Sequence, residues 1–273
     1  MYKKQNNNAC FLIFAIIIVM NTKRLIIGNW KMNPTTLAEA RKIARRVRRI
    51  MPDLTKTEAV ICPPFPFIAG CLPKKIIKNF HIGAQLVSQE EGGGPFTGEV
   101  SASMLHNLGV EYVVVGHSEQ RKKGDTDAIV SKRMKVVLDG GMIAVVCVGE
   151  ATRDEGGVYL EGLKNQVKNS FMDIPKKYVG DIVIAYEPIW AIGAKEAMLT
   201  EQIYETSLFV KKVFADLFGA QNGLRLKVLY GGAVNFRNAM DIISIGKVDG
   251  LLVGRESVNA PGFVELLKAV DIV

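Results

Sequence analysis

Eight short apolar runs, each followed by a longer stretch of helical character, occupy most of this 273-residue chain. They are rich in Val, Ile and Leu, and they lie at 25–28, 58–62, 80–85, 112–116, 142–148, 181–186, 226–230 and 250–253. Strands that are apolar along their whole length and alternate with helices form parallel sheets buried on both faces. Open sheets of this type typically contain about five or six strands, so eight strands predict closure into a (β/α)8 barrel.

The pattern continues without an internal linker, which predicts a single α/β domain over residues 21–273. Residues that favour helix N-termini precede four of the helical stretches. They are Thr35 or Thr36 before the first helix, Asp125 before 126–138, Thr200 before 201–218 and Asn235 before 236–244. Gly140 and Gly219 stand where helix C-termini are expected.

Residues 1–20 form an extension ahead of this pattern, with an apolar run at 9–20. The run is shorter than the roughly 20 residues that span a bilayer, and no small-residue cleavage site follows it. Three interpretations stay open: a start of translation at Met20, a tethered or exported form, and an ordered extension. Contact with a membrane is expected only if residues 9–20 are translated and retained.

The formal net charge is +8, and much of the excess lies in the first predicted helix. Apolar residues recur there at three- and four-residue spacing, so the cations occupy the outer, solvated face. No aromatic or loop partners accompany them, so no nucleic-acid partner is predicted; a preference for small anionic substrates fits the charge. The basic residues are Arg41, Lys42, Arg45, Arg46, Arg48 and Arg49.

The four cysteines lack the paired spacing of metal or redox motifs and are predicted to be reduced thiols of a cytoplasmic protein. They are Cys10, Cys62, Cys71 and Cys147. The three histidines are scattered, and neither GxGxxG nor GxxxxGK[ST] occurs. No metal and no cofactor is therefore predicted.

Polar residues follow three of the predicted strands, at the end of the barrel where active sites lie. Asn29 and Lys31 follow strand one on the same side of the chain, where they could bind an anion or a developing enolate. His117 follows strand four and could polarise a carbonyl or transfer a proton. Glu187 ends strand six, and a carboxylate is costly to bury there without a function, so it is a candidate general base.

Glycine-rich segments follow strands six, seven and eight. The segment from Pro188 to Gly193 has the composition of a lid. Ala233 follows Gly-Gly after strand seven, and Gly254-Arg255 follows strand eight. Backbone N–H groups at such positions can approach a phosphate group, which predicts a phosphate site there.

Together these segments resemble the triosephosphate isomerase family over residues 22–272. Six motifs in family order carry the resemblance: 28–33 (GNWKMN), 96–99 (FTGE), 115–119 (VGHSE), 147–150 (CVGE), 185–193 (AYEPIWAIG) and 230–232 (YGG). The resemblance implies a TIM barrel that interconverts dihydroxyacetone phosphate and D-glyceraldehyde 3-phosphate through an enediolate, in glycolysis and gluconeogenesis.

The resemblance also implies a division of roles. Glu187 would be the base, and His117 a neutral electrophile that passes protons between the substrate oxygens. Lys31 and Asn29 would bind the enediolate and phosphate, with Glu119 in support. Backbone groups at Gly193, Ala233, Gly254 and Arg255 would bind the phosphate, and the lid 188–200 would close over it.

Three single residues and one three-residue segment depart from the family pattern. Ala233 replaces a serine, Arg255 replaces a glycine, and 194–196 (AKE) replaces a Thr-Gly-Lys lid tip. Gln120 stands where an arginine is usual, opposite Glu99 of loop 90–100. That loop resembles the one through which the family dimerises, which implies a homodimer of uncertain strength.

Two alternatives remain open beside the isomerase. One is a related barrel isomerase that acts on a longer phosphorylated ketose. The altered phosphate region is the reason to consider it. The other is a non-catalytic barrel displayed at the cell surface through its apolar extension.

Overall fold

The computed structural model describes residues 23–154, 156–193 and 197–273. It contains eight parallel strands in the chain order that the sequence predicts, and the predicted barrel is confirmed. The strands are β1 (Arg24–Asn29), β2 (Thr57–Cys62), β3 (Phe80–Ala84), β4 (Tyr112–Val115), β5 (Ile143–Val148), β6 (Ile182–Tyr186), β7 (Lys227–Tyr230) and β8 (Gly250–Val253).

The barrel closes where β1 pairs with β8, with Leu25 opposite Gly250. The two backbones approach closely at this point, because a Cβ atom at Gly250 would lie 1.9 Å from the carbonyl oxygen of Leu25. Only glycine leaves room for this contact. Each of the other strands pairs with its neighbours in the sequence, so all eight C-terminal ends form one rim.

Ten α-helices connect the strands within the described residues. They are α1 (Leu37–Ile50), α2 (Phe65–Cys71), α3 (Ala102–Leu108), α4 (Ser118–Arg121), α5 (Asp127–Asp139), α6 (Val158–Ser170), α7 (Thr200–Phe218), α8 (Ala220–Arg225), α9 (Ala239–Ser244) and α10 (Ala260–Ile272). Short 3-10 turns lie at Met51–Asp53, Lys176–Asp181, Ile189–Ala191 and Arg255–Val258.

One predicted helix start and two predicted helix ends are confirmed, and three predicted starts differ. Thr36 caps α1 by accepting a hydrogen bond from the backbone N–H of Glu39, and Gly140 and Gly219 end α5 and α7. The remaining starts are displaced along the chain. Thr126 caps α5 in place of Asp125, Thr200 lies inside α7, and α9 begins at Ala239 instead of 236.

Two of these displacements have a local cause. Asp125 forms an ion pair with Arg133 at 3.1 Å, which leaves the cap to the hydroxyl of Thr126. The side chain of Asn235 accepts from the backbone N–H of Arg237, which closes a turn ahead of α9. Side chains of these types bind nearby backbone groups in turns as readily as in helix caps.

The core has two layers because strand side chains alternate between the barrel interior and the helices. Leu25 and Ile27 point into the barrel, whereas Ile26 packs against the helices. The described cysteines, Cys62, Cys71 and Cys147, are buried free thiols. The predicted extension 1–20 and Cys10 lie outside the described residues, and no helix of the described parts is long and apolar enough to cross a membrane.

Candidate active site

The C-terminal rim of the barrel surrounds a cavity of about 560 Å³. It brings together residues that follow five different strands: β1, β4, β6, β7 and β8. Among the residues that line it are all eight predicted catalytic and substrate-binding positions: Asn29, Lys31, His117, Glu187, Gly193, Ala233, Gly254 and Arg255. The predicted supporting residue, Glu119, is not among the residues that line the cavity; it accepts a hydrogen bond from the ammonium of Lys31.

Glu187 and His117 meet in the floor of this cavity. Oε1 of Glu187 lies 3.2 Å from Nε2 of His117, and the residues are only 3% and 6% exposed. The second carboxylate oxygen, Oε2, accepts a hydrogen bond of 3.3 Å from the backbone N–H of Ser118. One oxygen of this buried carboxylate thus lies against the imidazole and the other accepts a backbone hydrogen bond, which offsets part of the cost of burying a charge.

The hydrogen bonds of His117 define its tautomer. The imidazole caps α4, and its Nδ1 accepts a hydrogen bond of 3.2 Å from the backbone N–H of Glu119. A nitrogen that accepts carries no proton, so the proton of the ring lies on Nε2. The ring is thus a neutral imidazole, and its Nε2 is the nitrogen that lies 3.2 Å from Oε1 of Glu187.

Lys31 has an unusual backbone conformation, with φ of +54°. Non-glycine residues in this region are strained and persist only where their surroundings hold them. Its backbone N–H donates to Oδ1 of Asn29 at 3.0 Å, and its carbonyl accepts from Nε2 of Gln85 at 2.8 Å. These two contacts hold the strained backbone and aim the side chain across the cavity rim.

The ammonium of Lys31 lies 2.6 Å from Oε1 of Glu119. Partial burial raises the pKa of the Glu119 carboxyl, but the hydrogen bond and positive charge of Lys31 outweigh it and leave this pKa below its ordinary value. Glu119 is therefore ionised near neutral pH and positions the ammonium. Glu119 also contacts His117, because its backbone N–H donates to Nδ1 of the ring.

Three residues of the site were not given a role from sequence. Gln85 follows β3 and donates to the carbonyls of both Lys31 and Cys62, which ties the ends of β1, β2 and β3 together. The sequence signal for Gln85 is the same as for the other candidates, because it is a polar residue directly after an apolar strand.

The second is Cys147, which lies inside the barrel close to Glu187. Burial raises the pKa of its thiol well above the ordinary value, and the negative charge of Glu187 and a hydrogen bond to it raise this pKa further. The thiol therefore stays protonated beside the carboxylate. A cysteine within an apolar strand carries no signal of this contact.

The third is Glu150, which anchors the start of the lid. Its Oε1 accepts hydrogen bonds from Tyr186 Oη at 2.8 Å and from Trp190 Nε1 at 3.0 Å. At the other end of the lid, the backbone N–H of Met198 donates to Tyr230 Oη at 3.1 Å. Both ends of the lid are thus held, while the predicted departure at its tip, 194–196, lies outside the described residues.

Backbone geometry shapes the predicted phosphate region. Gly193 has φ of +76°, which glycine adopts without strain. A Cβ atom at Gly232 would lie 2.2 Å from Tyr230 Oη, so glycine is required for the tyrosine to reach the lid. Arg255 is exposed at the mouth of the cavity, where it adds a positive charge.

These features define an enzyme of the (β/α)8-barrel class whose site is built to move protons within a small anionic molecule. A model of the triosephosphate isomerase family matches residues 24–270. The chain belongs to this family, and both the resemblance and the fold predicted from sequence are confirmed.

Relatives and a solved structure agree with this assignment over nearly the whole chain. Triosephosphate isomerase of Idiomarina loihiensis is 38% identical, over 92% of this chain and 100% of its own length. That of Endomicrobium trichonymphae is 35% identical, over 90% and 98%. The crystal structure of triosephosphate isomerase from Bartonella henselae superposes with a TM-score of 0.76 at 31% identity, over 90% and 98% of the two chains.

Proposed function

We propose that this protein interconverts dihydroxyacetone phosphate and D-glyceraldehyde 3-phosphate through an enediolate intermediate. The observation that carries the proposal is the contact of 3.2 Å between Glu187 and the neutral ring of His117 at the floor of the cavity. A carboxylate base and an imidazole hydrogen-bond donor are the two groups that proton transfer between adjacent carbons needs.

The proton balance follows from this pair. A carboxylate oxygen of Glu187 removes a proton from the carbon beside the carbonyl, while Nε2–H of His117 donates a hydrogen bond to the carbonyl oxygen. Electrons of the broken C–H bond form the enediolate, and His117 moves a proton between its two oxygens. Protonated Glu187 then returns its proton to the neighbouring carbon, so no cofactor is consumed.

Substrate binding requires the carboxylate to move. In the observed state Oε1 of Glu187 lies 3.2 Å from Nε2 of His117, in the space that a substrate oxygen accepting from Nε2 would occupy. The carboxylate therefore turns from the imidazole toward the substrate carbon when the substrate enters. Lys31 and Asn29 bind the substrate from the end of β1 and stabilise the negative charge of the enediolate.

The phosphate is bound by backbone N–H groups at Gly193, Ala233, Gly254 and Arg255, which line the cavity. Backbone donors are unaffected by side-chain differences, so the departures at 233 and 255 leave this binding intact. Closure of the lid over the phosphate excludes water and suppresses loss of phosphate from the enediolate.

A homodimer formed through loop 90–100 is part of this proposal. Residues 91–99 are all exposed in the single chain, including the apolar ring of Phe96 and the side chain of Thr97. Such a loop is typical of a surface that a second copy covers. We also place the enzyme in the cytoplasm, in agreement with the buried free thiols of Cys62, Cys71 and Cys147.

The proposal is tested by a coupled assay of triose phosphate interconversion with the variant Glu187→Asp. Removal of one methylene group displaces the carboxylate by about 1 Å, a shift that can lower the rate about 100-fold. The matched control is Glu205→Asp, at an exposed position of α7, which should keep wild-type kcat and KM. Equal kcat for Glu187→Asp and wild type would contradict the proposed base.

The same assay with a longer phosphorylated ketose separates this function from the related isomerase that the sequence left open. We expect turnover with the triose phosphates and little with the longer sugar. A higher kcat/KM for the longer substrate would favour the alternative.

A further inference from the structure

The backbone N–H of Gly149 has its hydrogen-bonding partner on a helix instead of on a neighbouring strand. Gly149 is buried and lies just beyond the last residue of β5. Its N–H donates to Oε1 of Gln166 at 2.8 Å. Gln166 belongs to α6, 17 residues further along the chain. A backbone N–H that is removed from water is costly without an acceptor, so the amide oxygen of Gln166 holds the end of β5 in place.

The end of β5 in turn holds the backbone of Glu187. Gly149 lies directly against the carbonyl group of Glu187, with no room between them for a side chain. The carbonyl of the preceding residue, Val148, accepts a hydrogen bond of 2.8 Å from the backbone N–H of Glu187. Both polar groups of the Glu187 backbone therefore contact residues 148 and 149, and a shift of Gly149 displaces the base.

A small recess brings the side chain of Gln166 close to the base. Gln166 and Glu187 both line this recess, and Arg121 of α4 lines it as well. Nε of Arg121 donates to the carbonyl of Gly116 at 2.9 Å, directly before His117. Polar side chains of α4 and α6 thus bind backbone groups beside the two residues that meet in the floor of the cavity.

We propose that Gln166 is a positioning residue for Glu187, an inference that rests on the proposed function. The amide oxygen of Gln166 fixes Gly149, and Gly149 fixes the backbone from which the carboxylate projects. Gln166 is not among the residues that line the cavity, so it acts on the reaction only through these contacts. Displacement of a reacting group by about 1 Å can lower a rate about 100-fold, which makes kcat sensitive to the position of Gly149.

A second route leads from Gln166 to the lid. Glu150 follows Gly149, and its carbonyl accepts a hydrogen bond of 3.0 Å from the backbone N–H of Ile189 at the start of the lid. A disturbed lid would weaken the binding of phosphate, whereas a displaced base would lower kcat and leave phosphate affinity unchanged. The structure favours the base, because Gly149 contacts Glu187 directly and reaches the lid only through a further residue.

The test is the variant Gln166→Leu in the coupled assay of triose phosphate interconversion. Leucine keeps the position filled but removes the accepting oxygen, so we expect kcat to fall about tenfold. KM for the triose phosphates and the inhibition constant of inorganic phosphate should remain at wild-type values. The matched control is Asn165→Leu, at the exposed neighbouring position of α6, which should keep wild-type kcat and KM.

Amide hydrogen exchange at Gly149 tests the contact itself, by nuclear magnetic resonance of glycine-labelled protein. The Gly149 amide should exchange slowly in the wild type and about tenfold or more faster in Gln166→Leu, because its acceptor is lost. The wild-type measurement is decisive even if Gln166→Leu does not fold. A Gly149 amide that exchanges freely in the wild type would overturn the contact.

A lower kcat in Gln166→Leu with unchanged phosphate inhibition, absent from Asn165→Leu, supports the proposal. Wild-type kcat in Gln166→Leu, or equal losses in the two variants, overturns it. Weaker phosphate inhibition with unchanged kcat assigns Gln166 to the lid and overturns its role for the base. Absence of isomerase turnover in the wild type contradicts the proposed function itself, and is thereby distinguished from a failure of this inference alone.

Discussion

Gly149 packs directly against the backbone of Glu187, so closely that a Cβ atom at residue 149 would lie 1.9 Å from the Glu187 carbonyl oxygen. The contact joins the ends of β5 and β6, where the backbone N–H of Glu187 donates to the carbonyl of Val148 at 2.8 Å. The position of the proposed base therefore depends on the absence of a side chain at residue 149.

Gly149→Ala should therefore impair both folding and catalysis. Its methyl group forces the two backbones apart, and overpacking of this kind costs about 1–3 kcal/mol of unfolding free energy. We expect a lower midpoint of denaturant unfolding together with a fall in kcat, because Glu187 is displaced. Gly162→Ala is the control: its Cβ would meet nothing within 4 Å in α6, and it should leave activity unchanged and raise stability. Wild-type kcat in Gly149→Ala would contradict the prediction.

Tyr230→Phe removes the acceptor for the backbone N–H of Met198, a buried residue at the end of the lid. A buried donor left without a partner costs about 1–3 kcal/mol. We expect kcat/KM for the triose phosphates to fall about tenfold or more, since the lid loses this stabilisation at its C-terminal end. Tyr178→Phe loses a hydroxyl bound to Asp139, away from the lid, and should keep wild-type kinetics. Similar losses in the two variants would contradict a role of Tyr230 in the lid.

Ala233→Ser introduces the hydroxyl group that the family pattern has at this point of the cavity. One added hydrogen bond between this hydroxyl and the lid should contribute about 1 kcal/mol to closure, or about fivefold tighter binding of inorganic phosphate. Phosphate affinity is measured by competitive inhibition of the isomerase assay. Ala128→Ser, at an exposed position of α5, should have no effect. An unchanged inhibition constant for Ala233→Ser would show that the lid does not use this position.

Glu119→Gln tests the ion pair with Lys31 through its pH dependence. The folded-state pKa of Glu119 is below the ordinary value of 4.5, so ionised Glu119 stabilises the folded protein above that pH. This stabilisation disappears as the pH falls through the lower, folded-state pKa. Because the side chain is 51% exposed, the pair contributes at most about 1 kcal/mol.

The measurement is the free energy of unfolding of wild type and Glu119→Gln across a series of pH values. We expect wild type to be more stable near neutral pH and the two proteins to converge below pH 4.5. If the difference in unfolding free energy instead grew on acidification, the ion pair would not be the source of the lowered pKa.

The eight strands and the residues that follow them were predictable because each signal is local. An apolar β-branched run followed by a polar residue needs no information from elsewhere in the chain, and this pattern identified Asn29, Lys31, His117 and Glu187. Helix starts were less predictable. Asp125 and Asn235 have the chemistry of caps, but an ion pair and a turn use their side chains instead.

By itself the sequence determined the closed barrel, the family and the four polar residues at its rim. Only the tertiary structure decided the contact of Glu187 with His117, the proton on Nε2, and the parts played by Gln85, Cys147 and Glu150. The physical reason is that strand patterns arise from neighbouring residues, whereas these contacts join strand ends that are distant in the chain. Their distances depend on how the barrel closes, and closure is a property of all eight strands together.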